Sequence, residues 1–359
     1  MYILAIETSC DETAAAVVTD TAEVLSNVVA SQIADHAAFG GVVPEIASRR
    51  HVELIGPVVS EALKQAGIDR RDLGGVAVTQ GPGLVGALLV GISFAKALGY
   101  ALNIPVCGIN HLEGHLCAAS IDGTVRYPHI GLVVSGGHTS LYRIDAPDAV
   151  AQIGHTLDDA AGEAFDKVAK LLYLGYPGGV IIDRISQGIA CDEIDLPRPK
   201  IHDDSYDFSF SGLKTAVLNL VIRSEIFPEM NLRFSGLPQH KEPAPGKEYL
   251  VQKIAAAFQA AVTDVLVVKA IKAVKDHAMD LLVVSGGVAS NSSLRHALRE
   301  RCAGEGIELV IPHRKYCTDN AAMIGIASIR HFREGNRASL DMNAVSRWSS
   351  LQKRPAGHS

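Results

Sequence analysis

The sequence predicts an α/β fold made of two similar lobes with a cleft between them. A strand, a polar turn and a returning strand are predicted at residues 2–19, and the same unit recurs at residues 130–144. Segments with helical spacing alternate with short apolar runs, as is typical of α/β proteins. A unit that recurs once in the second part of the chain indicates a duplicated lobe rather than a solenoid, and ligands commonly bind between two lobes.

Each element follows from the spacing or the type of its residues. Apolar and β-branched runs bounded by polar turns predict strands, whereas apolar residues three and four positions apart predict helices. In chain order, the predicted elements are strands at 2–7 and 13–19, a helix at 44–66, a strand at 75–78, a helix at 86–99, and strands at 106–108, 130–134, 140–144 and 281–284.

The lobes are expected to divide the chain near residue 110. We place the first lobe at residues 1–110 and the second at residues 111–319, and we expect a C-terminal helix at residues 320–345 to pack back on the first lobe. Prolines and glycines crowd residues 224–249, which predicts an exposed loop insertion there.

Composition narrows the class of protein. The chain has 359 residues, of which 48% are hydrophobic and 20% charged, and these values are ordinary for a globular protein. Its six cysteines form no C-x-x-C pair, which argues against a disulfide scaffold and favours a reducing compartment. The N-terminus lacks the basic start of a signal peptide, and no apolar run of about twenty residues is evident. We therefore expect a cytoplasmic protein with no membrane partner.

Two histidines in the middle of the chain are candidate metal ligands. His111 and His115 are four residues apart, so both share one face if the segment is helical. Zinc proteases of the H-E-x-x-H type have glutamate directly after the first histidine, but Leu112 occupies that position here. Mononuclear catalytic sites typically have three protein ligands, and Asp319 is a candidate for the third. The spacing alone is also compatible with two surface histidines unrelated to any metal.

Two glycine turns after apolar strands are candidate phosphate loops. Paired glycines let backbone amides approach a phosphate closely. A similar Ser-Gly-Gly turn occurs at residues 284–291, where a helix is expected to begin near Asn291 and would favour an anion at its N-terminus. Either turn could also be an ordinary one. The residues of the first turn are Val134, Ser135, Gly136, Gly137 and His138.

A third cluster lies between these two turns. Asp166 could bind ribose hydroxyls or a substrate amine, or it could be a surface acid beside Lys167. Gly179 belongs to a Tyr-Pro-Gly-Gly turn, and Asp183 follows closely. These residues, together with the two Ser-Gly-Gly turns, favour a nucleotide-binding cleft.

The ordered set of motifs resembles the TsaD family of tRNA N6-adenosine threonylcarbamoyltransferases. The similarity covers nearly the whole chain and is weakest at residues 224–249. Its motifs are I-E-T-S-C-D-E-T at 6–13, G-G-V-V-P-E-I-A-S-R at 40–49, G-P-G-L at 81–84, the histidine pair, S-G-G-H-T at 135–139, G-E-A-F-D-K at 162–167, S-F-S-G-L-K at 209–214, S-G-G-V-A-S-N at 285–291 and C-T-D-N at 317–320.

The resemblance implies a fold, a cofactor and a substrate site. The fold would be that of the actin-like ATPase and sugar kinase superfamily, with two duplicated lobes. His111, His115 and Asp319 would bind one divalent metal ion, iron or zinc. The substrate, threonylcarbamoyl-AMP, would be held by Val134, Ser135, Gly136, Gly137, His138, Asp166, Gly179, Asp183 and Asn291.

The resemblance also implies a reaction and partners. The threonylcarbamoyl group would pass from its adenylate to the N6 amine of the adenosine beside the anticodon, in tRNAs that read codons beginning with A. A homologous TsaB-type subunit and a TsaE-type ATPase using Mg-ATP would complete the system. By position, Asp11 and Glu12 are candidate general bases, although they could equally bind metal or shape the first turn.

Three other functions remain open at this stage. A kinase or ATPase of the same superfamily is disfavoured because its first phosphate loop usually contains a glycine, which residues 7–11 lack. A metalloprotease is disfavoured by Leu112, and a non-catalytic binding subunit by the retained metal ligands.

The charge of the chain bears on how it would bind RNA. The net charge of −6 argues against a generally basic nucleic-acid surface, so we expect weak tRNA binding by the isolated chain. The local basic candidates are residues 49–51, residues 198–200, residues 314–315 and residues 353–354.

Overall fold

The computed structural model describes residues 1–201, 203–227 and 241–348, and within them it forms two five-stranded sheets. The first sheet has the order β3-β2-β1-β4-β5, and the second has the order β10-β9-β6-β7-β8. The strands are β1 (Tyr2–Glu7), β2 (Glu12–Thr19), β3 (Val24–Ser31), β4 (Leu73–Gly81), β5 (Val106–Asn110), β6 (His129–Val134), β7 (Thr139–Ala146), β8 (Ala149–His155), β9 (Leu281–Ser285) and β10 (Glu308–Val310).

The two sheets repeat one topology. In the first, β1 pairs antiparallel with β2 and parallel with β4. In the second, β6 pairs antiparallel with β7 and parallel with β9. The remaining pairs also correspond, because β2–β3 and β7–β8 are antiparallel while β4–β5 and β9–β10 are parallel. The strand–turn–strand unit that the sequence predicts twice therefore forms the first two strands of each sheet, and the whole sheet topology is repeated.

Ten α-helices and four 3₁₀ helices complete the described part of the chain. Short 3₁₀ helices occur at Arg70–Asp72, Ala118–Ile121, Gly287–Ser290 and Arg314–Tyr316. The α-helices are α1 (Ile33–Ala37), α2 (Pro44–Ala66), α3 (Val85–Leu102), α4 (His111–Cys117), α5 (Ala161–Leu171), α6 (Gly178–Ile185), α7 (Ser211–Arg223), α8 (Glu248–Asp276), α9 (Ser292–Glu305) and α10 (Ala321–Arg333).

The first sheet is covered on both faces, which explains why β1 is almost wholly apolar. Because side chains alternate along a strand, Leu4 and Ile6 pack with the residues of α2 and α3, while Ile3 and Ala5 pack with those of α10. The chain thus returns from the second sheet to the first through α10. This return places the residues just before α10 beside the end of the first sheet.

The C-terminal helix is shorter than the predicted 320–345. It ends at Arg333, and Gly335 follows in the left-handed conformation with φ 73°. The Gly335 N–H donates to Phe332 O, and the Asn336 N–H donates to His331 O. These are the two hydrogen bonds of a Schellman motif, which ends a helix at glycine.

Two helices, α3 and α8, are long and apolar enough to cross a membrane by length and composition alone. Two such helices are weak evidence for a membrane span, because the core helix of a soluble protein passes the same test. Of the apolar window in α8, 83% is buried inside the protein, as expected of a helix that runs through the core of the second lobe. The corresponding window of α3 is 33% buried, and α3 packs on the first sheet beside α2.

The predicted loop at residues 224–249 falls partly outside the described residues, at 228–240. In its described beginning, Glu225 is exposed, but Ile226 and Phe227 are buried in the core of the second lobe. The Phe227 ring packs edge-on against Tyr173 at 4.7 Å between centroids. The Ala244 N–H donates to Ile226 O and so closes the segment near its base.

Candidate metal centre and cleft

The histidine pair lies on α4, which begins directly after β5. Asn110 caps the helix, because its side-chain oxygen accepts from the N–H groups of Leu112 at 2.8 Å and Glu113 at 3.3 Å. One helical turn separates His111 and His115, so their rings meet on one face with centroids 4.6 Å apart. Both histidines are buried.

Asp319 reaches this pair from the segment before α10. Its Oδ1 lies 3.5 Å from His111 Nε2 and 3.1 Å from His115 Nε2. The ligand atoms of the three residues lie within 4.8 Å of one another, so the group could hold a metal ion. Gly114 permits the approach of α10, since a Cβ there would lie 2.7 Å from Ile324 Cδ1. The predicted third ligand is thus brought to the histidines by helix packing.

A buried carboxylate orients the first histidine. Glu7, at the end of β1, is wholly buried, and its Oε2 lies 3.0 Å from His111 Nδ1. The same carboxylate accepts from the Thr79 hydroxyl at 2.6 Å and from the Ser9 N–H. If His111 Nδ1 carries the proton, Nε2 is left as a lone-pair donor facing Asp319, which is the arrangement usual for a metal-ligating histidine.

The electrostatics of this group suit a cation. Burial lowers the pKa of His111, but the negative charges of Asp319 and Glu7 outweigh it and raise this pKa to about 9. Burial raises the pKa of Asp319, but His111 and His115 outweigh it and hold this pKa below its usual value. Neither buried ring nitrogen of His115 makes a hydrogen bond of normal geometry with any described residue. A divalent cation would take one ring nitrogen of His115 as a ligand and would offset the negative charges of Asp319 and Glu7.

The first Ser-Gly-Gly turn lies beside the metal-ligand group. Ser135 N donates to His138 O at 2.7 Å, and His138 N donates to Ser135 Oγ at 3.1 Å, so the turn after Val134 is closed at both ends. Gly136 and Gly137 are exposed at its tip. The His138 ring is 6.5 Å from that of His111. Burial and the two ligand histidines lower the pKa of His138 to about 4, which favours a neutral ring.

The second Ser-Gly-Gly turn packs directly on the first, because β6 and β9 are parallel neighbours and their turns leave the same end of the sheet. Gly286 has φ 94°, and a Cβ there would lie 2.3 Å from Val134 O. The two turns therefore share one edge of the second lobe, where ligands of α/β proteins usually bind.

Two predicted substrate residues are engaged in capping α9. Asn291 Oδ1 accepts from Leu294 N at 3.0 Å, and its Nδ2 donates to Gln259 at 2.7 Å. Asp183 accepts from the Ser292 hydroxyl at 2.6 Å and from its N–H at 3.1 Å. These contacts fix the N-terminus of α9 and give both side chains a structural role.

Carboxylates of the two lobes meet in the cleft. Tyr176 donates to Asp11 Oδ2 at 3.3 Å, which joins the first turn to the second lobe. Asp166 accepts from Gly178 N at 2.7 Å, and Gly179 follows at the start of α6. Burial raises the pKa of Asp166 to about 6, with a smaller contribution from Asp11. Burial, Asp11 and Asp319 raise the pKa of Glu12 well above its ordinary range.

Two residues of this arrangement were not assigned a role from the sequence. The sequence pattern places Glu7 in the first polar turn, but a carboxylate at the end of an apolar strand indicates a buried charge that needs partners. The pattern places Tyr176 in a glycine turn, and its contact with Asp11 depends on how the lobes are placed.

The predicted basic candidates for RNA contact differ in their availability. His51 is buried and bonds to Thr13 and to Cys10 O. Arg50 is paired with Asp35 and Glu53. The side chain of Arg198 pairs with Asp264. Exposed Arg314 and Lys315 lie a few residues before Asp319, and residues 353–354 lie outside the described residues.

Comparisons with known proteins agree with this geometry. A family model described as TsaD, tRNA N6-adenosine threonylcarbamoyltransferase, matches residues 23–326. Proteins of that name from Geobacter sulfurreducens and Trichlorobacter lovleyi are each 50% identical over 348 residues, which is 97% of this chain and 97% and 96% of theirs.

Two solved structures share the fold at low identity. Full-length HypF has a TM-score of 0.58 at 14% identity, over 94% of this chain and 56% of its own. The activator of 2-hydroxyisocaproyl-CoA dehydratase from Clostridium difficile has a TM-score of 0.52 at 13% identity, over 93% and 97%. They confirm the predicted two-lobed α/β fold. By its family-model match and its curated relatives, the chain belongs to the TsaD family of tRNA N6-adenosine threonylcarbamoyltransferases.

Proposed function

We propose that this chain transfers the threonylcarbamoyl group from threonylcarbamoyl-AMP to the N6 amine of the adenosine next to the anticodon, in tRNAs reading codons that begin with A. The amine nitrogen attacks the carbamoyl carbon, the bond from that carbon to the phosphate oxygen breaks, and AMP leaves with the bonding pair. The observation that carries the proposal is the His111–His115–Asp319 group beside the Ser-Gly-Gly-His turn.

His111, His115 and Asp319 would hold one divalent ion, Fe²⁺ or Zn²⁺. When bound, such an ion supplies a Lewis acid that polarises a carbonyl oxygen and orients the acyl group. The donor set of two imidazoles and one carboxylate suits either metal. Glu7 contacts His111 Nδ1 at 3.0 Å and would leave Nε2 free to bind such an ion.

The adenylate would lie along the edge of the second lobe. The backbone amides of Gly136 and Gly137 are exposed at the tip of the first turn and would bind the phosphate. His138, held neutral, can donate one hydrogen bond without adding charge. Asp166 on α5 and Gly179 at the start of α6 would bind the ribose. Val134 and Ser135 shape the turn, while Asp183 and Asn291 act through the N-terminus of α9.

A carboxylate of the first turn would accept the proton that the attacking amine loses. Glu12 is one candidate because burial, Asp11 and Asp319 raise its pKa well above the ordinary range, and a carboxylate with a raised pKa is a stronger base than an ordinary one. Asp11, aligned by Tyr176, is the second candidate.

The reaction would take place within a larger system in the cytoplasm. A homologous TsaB-type subunit and a TsaE-type ATPase using Mg-ATP are proposed partners. The net charge of −6 and the paired state of several basic side chains support a shared tRNA surface rather than one built by this chain alone.

A transfer assay tests the proposal. Purified protein with its partner subunits receives synthetic threonylcarbamoyl-AMP and unmodified tRNA, and the nucleosides are analysed by mass spectrometry. We expect the modified adenosine from the wild type and none from a folded His111→Ala/His115→Ala variant. His296→Ala is the matched control because His296 is exposed on α9, and its product yield should equal the wild type.

Either of two results would contradict the proposal. One is a wild-type protein that makes no modified nucleoside when metal and partners are present. The other is metal-dependent cleavage of a peptide substrate by the same preparation, which would support the metalloprotease alternative.

A further inference from the structure

Arg295 is a buried cation on α9 that the proposed reaction does not use. Arg295 is 8% exposed to solvent. The guanidinium donates from Nε to Ala289 O at 2.6 Å and from Nη2 to Pro312 O at 2.7 Å. Nη2 also lies 3.1 Å from the sulfur of Cys317. Within the described ranges, Arg295 has no carboxylate at ion-pair distance.

These contacts join two segments that carry parts of the candidate site. Ala289 belongs to the second Ser-Gly-Gly loop, and Pro312 and Cys317 belong to the segment that ends in the metal ligand Asp319. Cys317 Sγ lies 3.5 Å from Pro312 O, so the thiol, the carbonyl and the guanidinium form one cluster.

The rigid fork of an arginine suits this task. Its planar donors can hold two carbonyl groups in fixed directions, whereas a lysine ammonium is a flexible point charge. An arginine whose role was only to fill space could be replaced by an apolar residue without loss of a fixed direction. A buried guanidinium that donates to two separate carbonyls determines the distance between their segments instead.

We propose that Arg295 is a positioning residue, which fixes the Asp319 segment against the second Ser-Gly-Gly loop and so sets the metal ligand relative to the substrate loops. This inference rests on the proposed function for its catalytic consequence, but not for its effect on metal affinity. Arg295 touches neither the ligand atoms of the metal group nor the first Ser-Gly-Gly turn in the described structure.

The test compares Arg295→Met and Arg295→Lys with the wild type in the full chain. Zn²⁺ affinity is measured by competition with a chelator, at a temperature where circular dichroism shows each protein folded. We expect Arg295→Met to raise the Kd for Zn²⁺ about 10- to 100-fold, as loss of outer-shell partners does. Arg295→Lys should give a smaller rise, because one ammonium group cannot keep both carbonyl directions.

Arg299→Met is the matched control, since Arg299 is exposed one turn further along α9. It should leave the Kd for Zn²⁺ and the KM for threonylcarbamoyl-AMP unchanged. In the transfer assay, Arg295→Met should raise the KM by a larger factor than it lowers kcat, because the second loop is displaced along with Asp319.

A merely structural arginine would give a different pattern. It would lower the melting temperature while leaving the Kd for Zn²⁺ and the KM of the folded protein at wild-type values, and that result overturns the proposal. If Arg295→Met does not fold, the test rests on Arg295→Lys. A Kd for Zn²⁺ and a KM at wild-type values in that variant overturn the proposal. If the wild type transfers nothing but Arg295→Met still loses Zn²⁺ affinity, the positioning role stands and the proposed function falls.

Discussion

Replacing Glu7 by glutamine isolates the role of the carboxylate behind His111. The substitution keeps the size of a wholly buried side chain, so packing should be retained. Glutamine keeps one acceptor oxygen and replaces the other oxygen by an NH2 donor, so the side chain can no longer accept hydrogen bonds at both positions. Ser9 N donates to Oε1, while Oε2 faces Thr79 Oγ1 at 2.6 Å and His111 Nδ1 at 3.0 Å.

Either orientation of the glutamine amide disturbs the site. With its nitrogen toward Ser9, two donors face each other, and a buried donor left without a partner costs about 1–3 kcal/mol. With its nitrogen toward His111, Nδ1 must become the acceptor and the proton moves to Nε2, which blocks the metal lone pair. We expect the Kd for Zn²⁺ to rise about 10- to 100-fold, which corresponds to roughly 1.4–2.7 kcal/mol.

Chelator competition with Zn²⁺ measures the change, and unfolding in denaturant measures stability alongside it. Glu113→Gln is the matched control. Glu113 lies on the same helix as the ligands, but its carboxylate accepts from Arg330 at 3.0 Å and His331 at 2.9 Å on another face. It should lose stability and keep its Zn²⁺ affinity. A folded Glu7→Gln protein with wild-type Zn²⁺ affinity would refute the reasoning.

The pKa of Asp166, raised to about 6, means that the folded state binds more protons than the unfolded one, so this group lowers stability as pH rises from about 4 to about 6. Asp166→Asn should remove that decline and stabilise the protein at about pH 8 by roughly 1–3 kcal/mol. Denaturant unfolding of both proteins from about pH 4 to about pH 8 measures this difference. A variant less stable than the wild type at about pH 8 would contradict the sign. Gly286→Ala should destabilise by at least about 2 kcal/mol, because its Cβ would meet Val134 O at 2.3 Å in a left-handed backbone. Gly136→Ala is the control, because no described atom lies within 4 Å of the added Cβ, and thermal melting should show its free energy of unfolding unchanged within about 0.5 kcal/mol. Equal losses of stability in the two alanine variants would count against the close approach of the turns.

The helices and strands that could be predicted from the sequence are those with a clear local spacing of apolar residues. The helix Pro44–Ala66 has the predicted bounds, because its apolar spacing starts after an extended segment and ends at Gly67 in the left-handed conformation. The strands β3, β8 and β10 were not predicted. Each lies at the edge of its sheet and is only partly buried, so the alternation of apolar and polar residues is weak there.

The candidate site could be predicted only where its parts are local. The spacing of His111 and His115 fixes their shared face, whereas Asp319 joins them through the packing of α10 on α4 at Gly114. Sequence spacing carries no information on that contact. Asp319 could therefore be named as a candidate third ligand, but its position beside the histidines was implied only by the family resemblance. The same limit applies to Asp183, whose contact with Ser292 depends on tertiary structure, whereas Asn291 caps α9 locally, at the helix start that the sequence predicts.

The most direct measurement is a single-turnover reaction that follows both products at once. Threonylcarbamoyl-AMP labelled in the threonyl group is mixed with the complete enzyme system and unmodified tRNA, and released AMP and labelled nucleoside are quantified together. Our account predicts equal amounts of AMP and modified adenosine, with both lost in the His111→Ala/His115→Ala variant. AMP released without label in the tRNA, or product made equally well by that variant, would contradict the central claim.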